Sequence, residues 1–320
     1  MEHEHQHLGA LGAWIEEPLE HALHEIGFSD GLTHFITHTA VDYLEIVLLL
    51  FLVVAAVSYI QTYIPYDKMR AKLQSLRGAS GYVLALGLGL LSPFCSCSII
   101  PIMMGFLVTG VPLSFCLVFL TSASCLNLTA LSAILASFDA GFAALYTAFA
   151  LLVSVLSAML VSRKGEELVR MDRLRAEHHH HHDESTVGTR LNKALCSAWL
   201  TFKNVWFYLL LGVVISSAVT VFVPHEWIED VLSGTVLALP LATLIGGCLH
   251  SDVFSILPLF KTVHSFAPAV ALTFMLATML FSIAEWALLS QAFRTRLIAR
   301  YCACLLLLAL LCGLIALPLL

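Results

Sequence analysis

Long apolar stretches constrain the fold of this chain more than any other feature. Six of them run without interruption for close to the ~20 residues that a membrane-spanning helix requires. They cover residues 43–64, 113–137, 140–161, 199–223, 268–290 and 301–320. Apolar residues make up 59% of the 320 positions and charged residues 12%, which leaves little chain for a soluble domain. The sequence therefore predicts an all-α polytopic membrane protein in a lipid bilayer.

Two further apolar stretches, residues 81–108 and 235–261, are interrupted in their middle. The interruptions read SPFCSCS (residues 92–98) and GGCLHSD (residues 246–252). If both stretches were full spans, the basic cluster at residues 68–77 and that at 163–193 would face opposite sides, although basic loops favour the cytoplasm. A re-entrant or broken hairpin at each stretch places these clusters inside, together with the one at residues 294–300.

The resulting prediction is two inverted repeats of span, hairpin, span, span, with six full spans and two hairpins; eight full spans remain the alternative. Residues 1–41 form a His-rich acidic N-terminal segment with an amphipathic helix. Residues 42–162 form the first membrane repeat, 163–198 a cytoplasmic His-rich loop, and 199–320 the second repeat. The first 66 residues contain no Lys or Arg, so the N-terminus is expected outside.

The first interruption combines thiols, hydroxyls and prolines. Cys95 and Cys97 are separated by Ser96 and followed by Ser98 and Pro101. Thiolates are soft ligands that suit zinc and related metals, and the same softness suits trivalent arsenic. Proline removes a backbone donor and frees carbonyl groups to face a site. These residues are predicted to bind and line the path of a thiophilic ion; inert packing of buried cysteines is the alternative.

The second interruption offers a thiol, an imidazole and a carboxylate. Cys248, His250 and Asp252 would complete a set of sulfur, nitrogen and oxygen ligands of the kind that zinc accepts. Ionisable groups at membrane depth are costly and mark ion or proton pathways. The alternative is a polar loop at the membrane surface.

Two polar residues inside predicted spans are candidates for lining the path or coupling transport. Asn127 either lines the path or joins helices by hydrogen bonds. Glu285 either carries a proton, a role for which Asp252 is the other candidate, or extends towards the interface.

A run of five histidines lies in the charged loop between the repeats: His178, His179, His180, His181 and His182. Consecutive imidazoles bind divalent borderline metals weakly at high local density, which predicts an accessory metal site. A solvated loop with no specific role is the alternative.

The stretch PFCSCSIIPIMMGFLVTGVPLSFCLVFLTSASCLN (residues 93–127) resembles the predicted-permease family that includes ArsP-like organoarsenical efflux proteins. The similarity rests on the Cys-Ser-Cys core, Pro101, and the Gly-Val-Pro turn at residues 110–112. Residues 240–286 are similar to a second motif of that family, with Pro258, Phe274 and Glu285 matching. Ser124 stands where the family usually has proline, and the CLHSD sequence and the His-rich loop are additions.

This resemblance implies a permease of the bacterial inner (plasma) membrane that exports trivalent arsenicals or heavy-metal cations, with the cysteines of the first motif as ligands. The expected cargo is therefore a Zn/Cd-type cation or trivalent arsenic, moved by alternating access, with no enzymatic activity and no required cofactor. No phosphate-binding GxxxxGK[ST] loop occurs. Nothing indicates nucleic-acid binding, and assembly as a homo-oligomer stays open.

Two other functions compete with export. A membrane thiol-disulfide oxidoreductase would use Cys95 and Cys97 as a redox pair, although such enzymes generally use Cys-x-x-Cys. Import is equally compatible with an inverted repeat, because such a repeat is symmetric in direction.

Overall fold

The computed structural model describes residues 30–61, 78–92, 96–108, 110–163, 165–170, 187–222, 237–248, 253–280 and 283–319, together with Pro18, Glu20, His21 and Glu25. From residue 30 onward these ranges contain α-helices, one short 3-10 turn and no strand; an isolated β-bridge joins Val169 and Phe293. The predicted all-α class is confirmed.

The helices in these ranges form two sets of six. The first set is α1 (Asp30–Gln61), α2 (Ala79–Leu91), α3 (Ser96–Val108), α4 (Leu113–Cys125), α5 (Leu128–Ser137) and α6 (Ala140–Ser162). The second set is α7 (Val187–Phe222), α8 (Ala238–Cys248), α9 (Val253–Phe266), α10 (Pro268–Leu280), α11 (Ile283–Ala292) and α12 (Thr295–Ala316). The 3-10 turn, Glu166–Leu168, follows α6.

Length and hydropathy identify membrane-crossing helices among the described residues. α6 and α12, with 23 and 22 residues, are each long and apolar enough to cross by themselves. α4 and residues 130–137 of α5 pass the same test as one bent pair, with 40° between the two parts. α2, α8, α10 and most of α3 are apolar but shorter than a bilayer crossing. The chain is a multi-pass membrane protein that combines full-length and shorter helices.

The outer surface of these helices is apolar. Leucines on α1, α2, α6 and α12 are exposed, among them Leu52, Leu91, Leu160 and Leu307. The inner helices are α4 and α10, in which nearly every residue is buried. An exposed surface of this composition is suited to lipid rather than to water.

Both interrupted stretches form two helices each. α2 ends at Leu91 and α3 begins at Ser96, so the junction falls within SPFCSCS; α8 ends at Cys248 and α9 begins at Val253, within or just after GGCLHSD. Each second helix carries a proline as its sixth residue, Pro101 in α3 and Pro258 in α9. The two stretches thus break at equivalent places.

Two stretches predicted as continuous spans are also divided. Residues 113–137 form α4 and α5, and residues 268–290 contribute to α10 and α11. Hydropathy does not reveal the first of these breaks, because α4 and residues 130–137 of α5 together are still apolar enough to count as one span. The first break depends on a side chain, Asn127, that caps α5.

The last three helices of each set begin at one constant spacing. α4, α5 and α6 begin at residues 113, 128 and 140, and α10, α11 and α12 begin at 268, 283 and 295, so each start returns 155 positions later. Phe138 and Phe293, which directly follow α5 and α11, keep this spacing, and so do Tyr146 and Tyr301. The last three helices of the second set therefore repeat the last three of the first.

Two glycines show that the repeat extends to helix packing. A Cβ atom at Gly89 of α2 would collide with Ser122 Oγ and lie 2.8 Å from Ala123 N on α4. A Cβ atom at Gly246 of α8 would lie 2.9 Å from Ala277 Cβ on α10. Residues 122 and 277 are 155 positions apart, so α2 packs on α4 as α8 packs on α10.

The two ends of α6 contact different parts of the second repeat. At its beginning, the ring of His264 on α9 lies 5.1 Å from that of Phe138 and 4.6 Å from that of Phe142. Beyond its end, Arg170 N donates to Ala292 O at 2.8 Å and Arg294 N donates to Leu168 O at 3.0 Å. The turn between α5 and α6 and its equivalent between α11 and α12 thus lie near opposite ends of α6.

The close packing of α2 on α4 predicts that alanine substitutions at two glycines of α2 differ in their effect on stability. Gly89→Ala should lower the free energy of unfolding by about 1 to 3 kcal/mol, the usual cost of overpacking a tight contact. Gly87→Ala is the matched control, because nothing lies within 4 Å of its added Cβ. Unfolding in mixed micelles by SDS titration measures both; equal stability of the two variants would contradict this packing.

Candidate transport site

The residues predicted to bind the ion lie mostly outside the part of the chain that the structure describes. Cys95, His250, Asp252 and the histidines at 178–182 belong to undescribed residues. Ser96, Cys97 and Ser98 form the first turn of α3, and Cys248 ends α8; for these four the backbone is described and the side chain is not. Their role as ligands and path residues stays a prediction.

The helix that begins within the Cys-Ser-Cys motif, α3, packs its next turns into the core. Ile99, Ile100 and Met103 of α3 are completely buried, and the helix packs against α1, α4 and α11. Pro101 has no N–H, so the carbonyl of Cys97 cannot receive the helical hydrogen bond from residue 101. Cys97 therefore combines a thiol with a backbone carbonyl released from the helix.

Asn127 stabilises the break between α4 and α5 from both sides. Its Oδ1 accepts a hydrogen bond of 2.7 Å from Ala130 N in the first turn of α5. Its Nδ2 donates a hydrogen bond of 3.2 Å to Ala123 O in the last turn of α4. One amide thus satisfies a backbone donor and a backbone acceptor that the interrupted helix leaves without helical partners.

Two tyrosines related by the repeat make different hydrogen bonds near this break. Tyr146 of α6 donates to Cys125 O, at the end of α4, over 3.1 Å. Tyr301 of α12 shares a 2.6 Å hydrogen bond with Thr121 Oγ1, one turn earlier on α4. All four residues are buried. Tyr146 therefore satisfies a carbonyl group at the break within its own repeat, whereas Tyr301 connects the second repeat to the first.

Glu285 brings a carboxyl group into the same region. It lies in the first turn of α11 and is only 6% exposed. Its carboxyl group lies within electrostatic range of Cys125 of α4 and of Tyr301 and Cys302 of α12. Its place near the helix N-terminus favours a carboxylate over other side chains. The groups around the α4 break form what we call the central polar cluster: Thr121, Cys125, Tyr146, Glu285, Tyr301 and Cys302.

Sequence reasoning identified Asn127 at the break and, within the central polar cluster, Glu285, but not the other five members. Thr121, Tyr146 and Tyr301 stand in long apolar stretches, where a single hydroxyl group gives no signal of its own. The detectable signal was the repeat: Phe138 and Phe293, each followed eight positions later by tyrosine, mark equivalent places in the chain.

The described residues contain no cluster of side chains that could bind a metal ion as it stands. Among them, no group of three His, Cys, Asp or Glu side chains is placed to hold a metal ion. The central polar cluster suits proton binding and hydrogen bonding, because its members present one carboxyl group, neutral hydroxyls and thiols.

A comparison with protein families decides the identity of the chain. A family model described as a predicted permease, ArsP_1, matches residues 31–317, which include all twelve helices except the first residue of α1. The chain belongs to this predicted-permease family. The resemblance noted for residues 93–127 and 240–286 is thereby confirmed for nearly the whole chain. Comparisons with curated proteins and with solved structures gave no match.

Membership of a permease family makes the chain a membrane transporter and favours transport over an enzymatic role. The described architecture fits this function. Broken helices place backbone groups and buried polar side chains at sites enclosed by protein, which is where transporters bind their cargo.

The double role of Asn127 predicts a larger loss of stability than an ordinary helix cap gives. Asn127→Ala removes the cap and the bond to Ala123 O, and should cost about 1 to 3 kcal/mol. Asp139→Ala is the matched control, since Asp139 caps α6 through a single bond to Phe142 N at 3.0 Å, and should cost about 0.5 to 2 kcal/mol.

Asn127→Ser restores an acceptor for the cap without the second bond, so its stability should fall between those of the parent and Asn127→Ala. Unfolding of the purified permease in micelles measures all three variants. An Asp139→Ala variant less stable than Asn127→Ala would refute the bridging role.

Proposed function

We propose that this permease exports thiophilic metal or metalloid ions from the cytoplasm, either Zn/Cd-type divalent cations or trivalent arsenicals. Transport would proceed by alternating access of two inverted repeats. The observation that carries the proposal is the equivalence of two helix junctions: Cys95 and Cys97 adjoin the start of α3, and Cys248, His250 and Asp252 adjoin the end of α8. In permeases built from inverted repeats, broken helices at equivalent places form the cargo site.

The inverted orientation is supported by the contacts at the two ends of α6. The turn between α5 and α6 lies beside His264, and its equivalent, Phe293-Arg294, pairs with residues 168–170 beyond the other end of α6. A helix of 23 residues is about 34 Å long at 1.5 Å per residue, comparable to the hydrocarbon core. Equivalent turns separated by this length would face opposite sides of the bilayer.

Charge supports the direction of this arrangement. Arg163, Arg170, Arg294 and Arg296 lie at the end of the molecule where residues 168–170 pair with residues 292–294. By the positive-inside rule this end would be cytoplasmic. His264 and Asp139 would then lie at the outer end, in agreement with an N-terminus outside.

The choice of cargo is supported by ligand chemistry. Cys95 and Cys97 would hold the ion as soft sulfur donors, and the released carbonyl of Cys97 would add an oxygen donor. Ser96 and Ser98 would line the entry beside them. His178–His182, on a loop assigned to the cytoplasm, would raise the local concentration of zinc or cadmium before capture.

A metal-tolerance panel in a sensitive bacterial strain tests this function. The parent chain should raise tolerance to at least one of Zn(II), Cd(II) and As(III) and lower the cellular content of that element. Cys95→Ser/Cys97→Ser should lose this protection, because both sulfur donors are gone.

The matched control is Cys196→Ser/Cys304→Ser, which also removes two thiols, one exposed on α7 and one half-buried on α12. This control should protect cells as the parent does. If the Cys95→Ser/Cys97→Ser variant protects equally well against all three ions, the thiol site is wrong. If the parent protects against none, export of these ions is wrong.

A further inference from the structure

We propose that an anionic phospholipid binds at the end of α6 and the start of α12, with its phosphate group held by arginines from both repeats. These arginines form what we call the basic patch: Arg163, Arg170, Arg294, Arg296 and Arg300. Such a lipid would bind whatever ion the permease carries and in whichever direction.

Backbone pairing brings the two segments of the basic patch together. Residues 168–170 and 292–294 form a short antiparallel bridge with backbone hydrogen bonds of 2.8 and 3.0 Å. Arg170 and Arg294 are diagonal neighbours across this bridge, so their side chains leave from the same face, roughly 7 to 8 Å from each other. One phosphate group between them can therefore reach both guanidinium groups, each of which can bind phosphate through two parallel hydrogen bonds.

The other three arginines start beside this bridge. Arg163 is the C-cap residue of α6, and a Cβ atom on Gly165, two residues later, would lie 2.9 Å from Leu297 Cδ1. Arg296 directly precedes Leu297, so Arg163 and Arg296 belong to neighbouring stretches of backbone. Arg300 follows Arg296 by one turn of α12.

The basic patch has an accessible excess of positive charge. Arg170 is half-buried, and the other four arginines are exposed. Segments 163–170 and 292–300 together contain six basic residues and two acidic ones, Glu166 and Glu167, which gives a net charge of +4. Positive charges gathered in this way repel each other, and a bound anion relieves the repulsion.

The surroundings of the basic patch favour a lipid over a soluble anion. α6 and α12 are both long enough to cross a membrane, so their ends lie at the level of the headgroups. Met159 and Leu160, in the last turn of α6, are 37% and 58% exposed and provide an apolar surface for acyl chains. An anionic phospholipid supplies a phosphate group for the arginines and acyl chains for this surface. A free phosphate ion supplies only the first.

A lipid bound here would join the two repeats. Arg163 and Arg170 follow the last helix of the first repeat, whereas Arg294 and Arg296 precede or begin the last helix of the second. A phosphate group shared between them adds charge-assisted hydrogen bonds to the two backbone bonds of the bridge. Removal of the lipid should therefore loosen the contact between the repeats at this end of the molecule.

Native mass spectrometry of the purified permease, titrated with phosphatidylglycerol in detergent micelles, tests the site. The parent should bind phosphatidylglycerol more tightly than phosphatidylcholine. Arg170→Gln/Arg294→Gln should weaken the binding of phosphatidylglycerol roughly thirtyfold, since each basic residue near a membrane surface contributes about a factor of five. Arg170→Lys/Arg294→Lys should lose less affinity, because lysine keeps the charge but not the paired hydrogen bonds.

The matched control is Lys203→Gln/Lys261→Gln, which removes two positive charges at exposed positions of α7 and α9. This control should bind phosphatidylglycerol as the parent does. Equal weakening in the control and in Arg170→Gln/Arg294→Gln would overturn the site, because net charge alone would then account for the loss. A parent that binds phosphatidylcholine as tightly as phosphatidylglycerol, or that binds neither, would overturn the preference for an anionic lipid.

Thermal unfolding in the same micelles distinguishes a lipid from a free anion. Phosphatidylglycerol should raise the unfolding temperature of the parent, and inorganic phosphate at the same concentration should not. An equal rise with inorganic phosphate would overturn the lipid as the ligand.

A second pair of substitutions keeps the test decisive if Arg170→Gln/Arg294→Gln does not elute as a folded protein in size-exclusion chromatography. Arg163→Gln/Arg296→Gln lies outside the paired backbone and should show the same loss of affinity. Undiminished binding of phosphatidylglycerol in this variant would then overturn the proposal.

Discussion

A helix that stops inside a bilayer must find partners for the backbone groups that it no longer pairs, and this constraint organises the structure. At the break between α4 and α5, side chains nearby provide these partners. Asn127 forms hydrogen bonds with Ala130 N and Ala123 O, and Tyr146 donates a hydrogen bond to Cys125 O. These partners have to be polar and buried, so the break gathers polar side chains in an otherwise apolar core. The central polar cluster is a direct consequence.

The repeat brings equivalent helices together. α4 contacts α10, its equivalent, and each is followed by a short helix that begins again after two residues. Side chains at equivalent positions of the two repeats differ in identity or in their hydrogen bonds. Tyr146 forms a hydrogen bond within its own repeat, whereas the equivalent Tyr301 forms one with Thr121 of the other repeat. Glu285 occupies the position that is Ala130 in the first repeat. The two sets of helices share a scaffold, and the differences at equivalent positions supply the polar centre.

Much of the architecture followed from the sequence, because hydropathy and small or polar interruptions report on burial in lipid. The all-α class and the junctions at SPFCSCS and GGCLHSD were predictable in this way. The breaks at Asn127 and before Glu285 were not, since a few hydroxyl, amide or carboxyl side chains in a long apolar stretch leave its mean hydropathy high. Thr121, Tyr146 and Tyr301 were missed because their role depends on partners distant in the chain. The ion ligands at both junctions stay predictions from the sequence.

Measuring the depth of the α4–α5 break in the bilayer tests most directly whether α4 ends within the membrane. A spin label in place of Leu128, which is 55% exposed beside the break, can be compared with one at Leu135, which is 56% exposed near the end of α5. Collision with oxygen and with a polar nickel reagent reports the depth of each label in lipid vesicles. We predict that the label at position 128 lies deep in the hydrocarbon and the label at 135 closer to the headgroups. A label at 128 as shallow as that at 135, or shallower, would contradict a break at membrane depth.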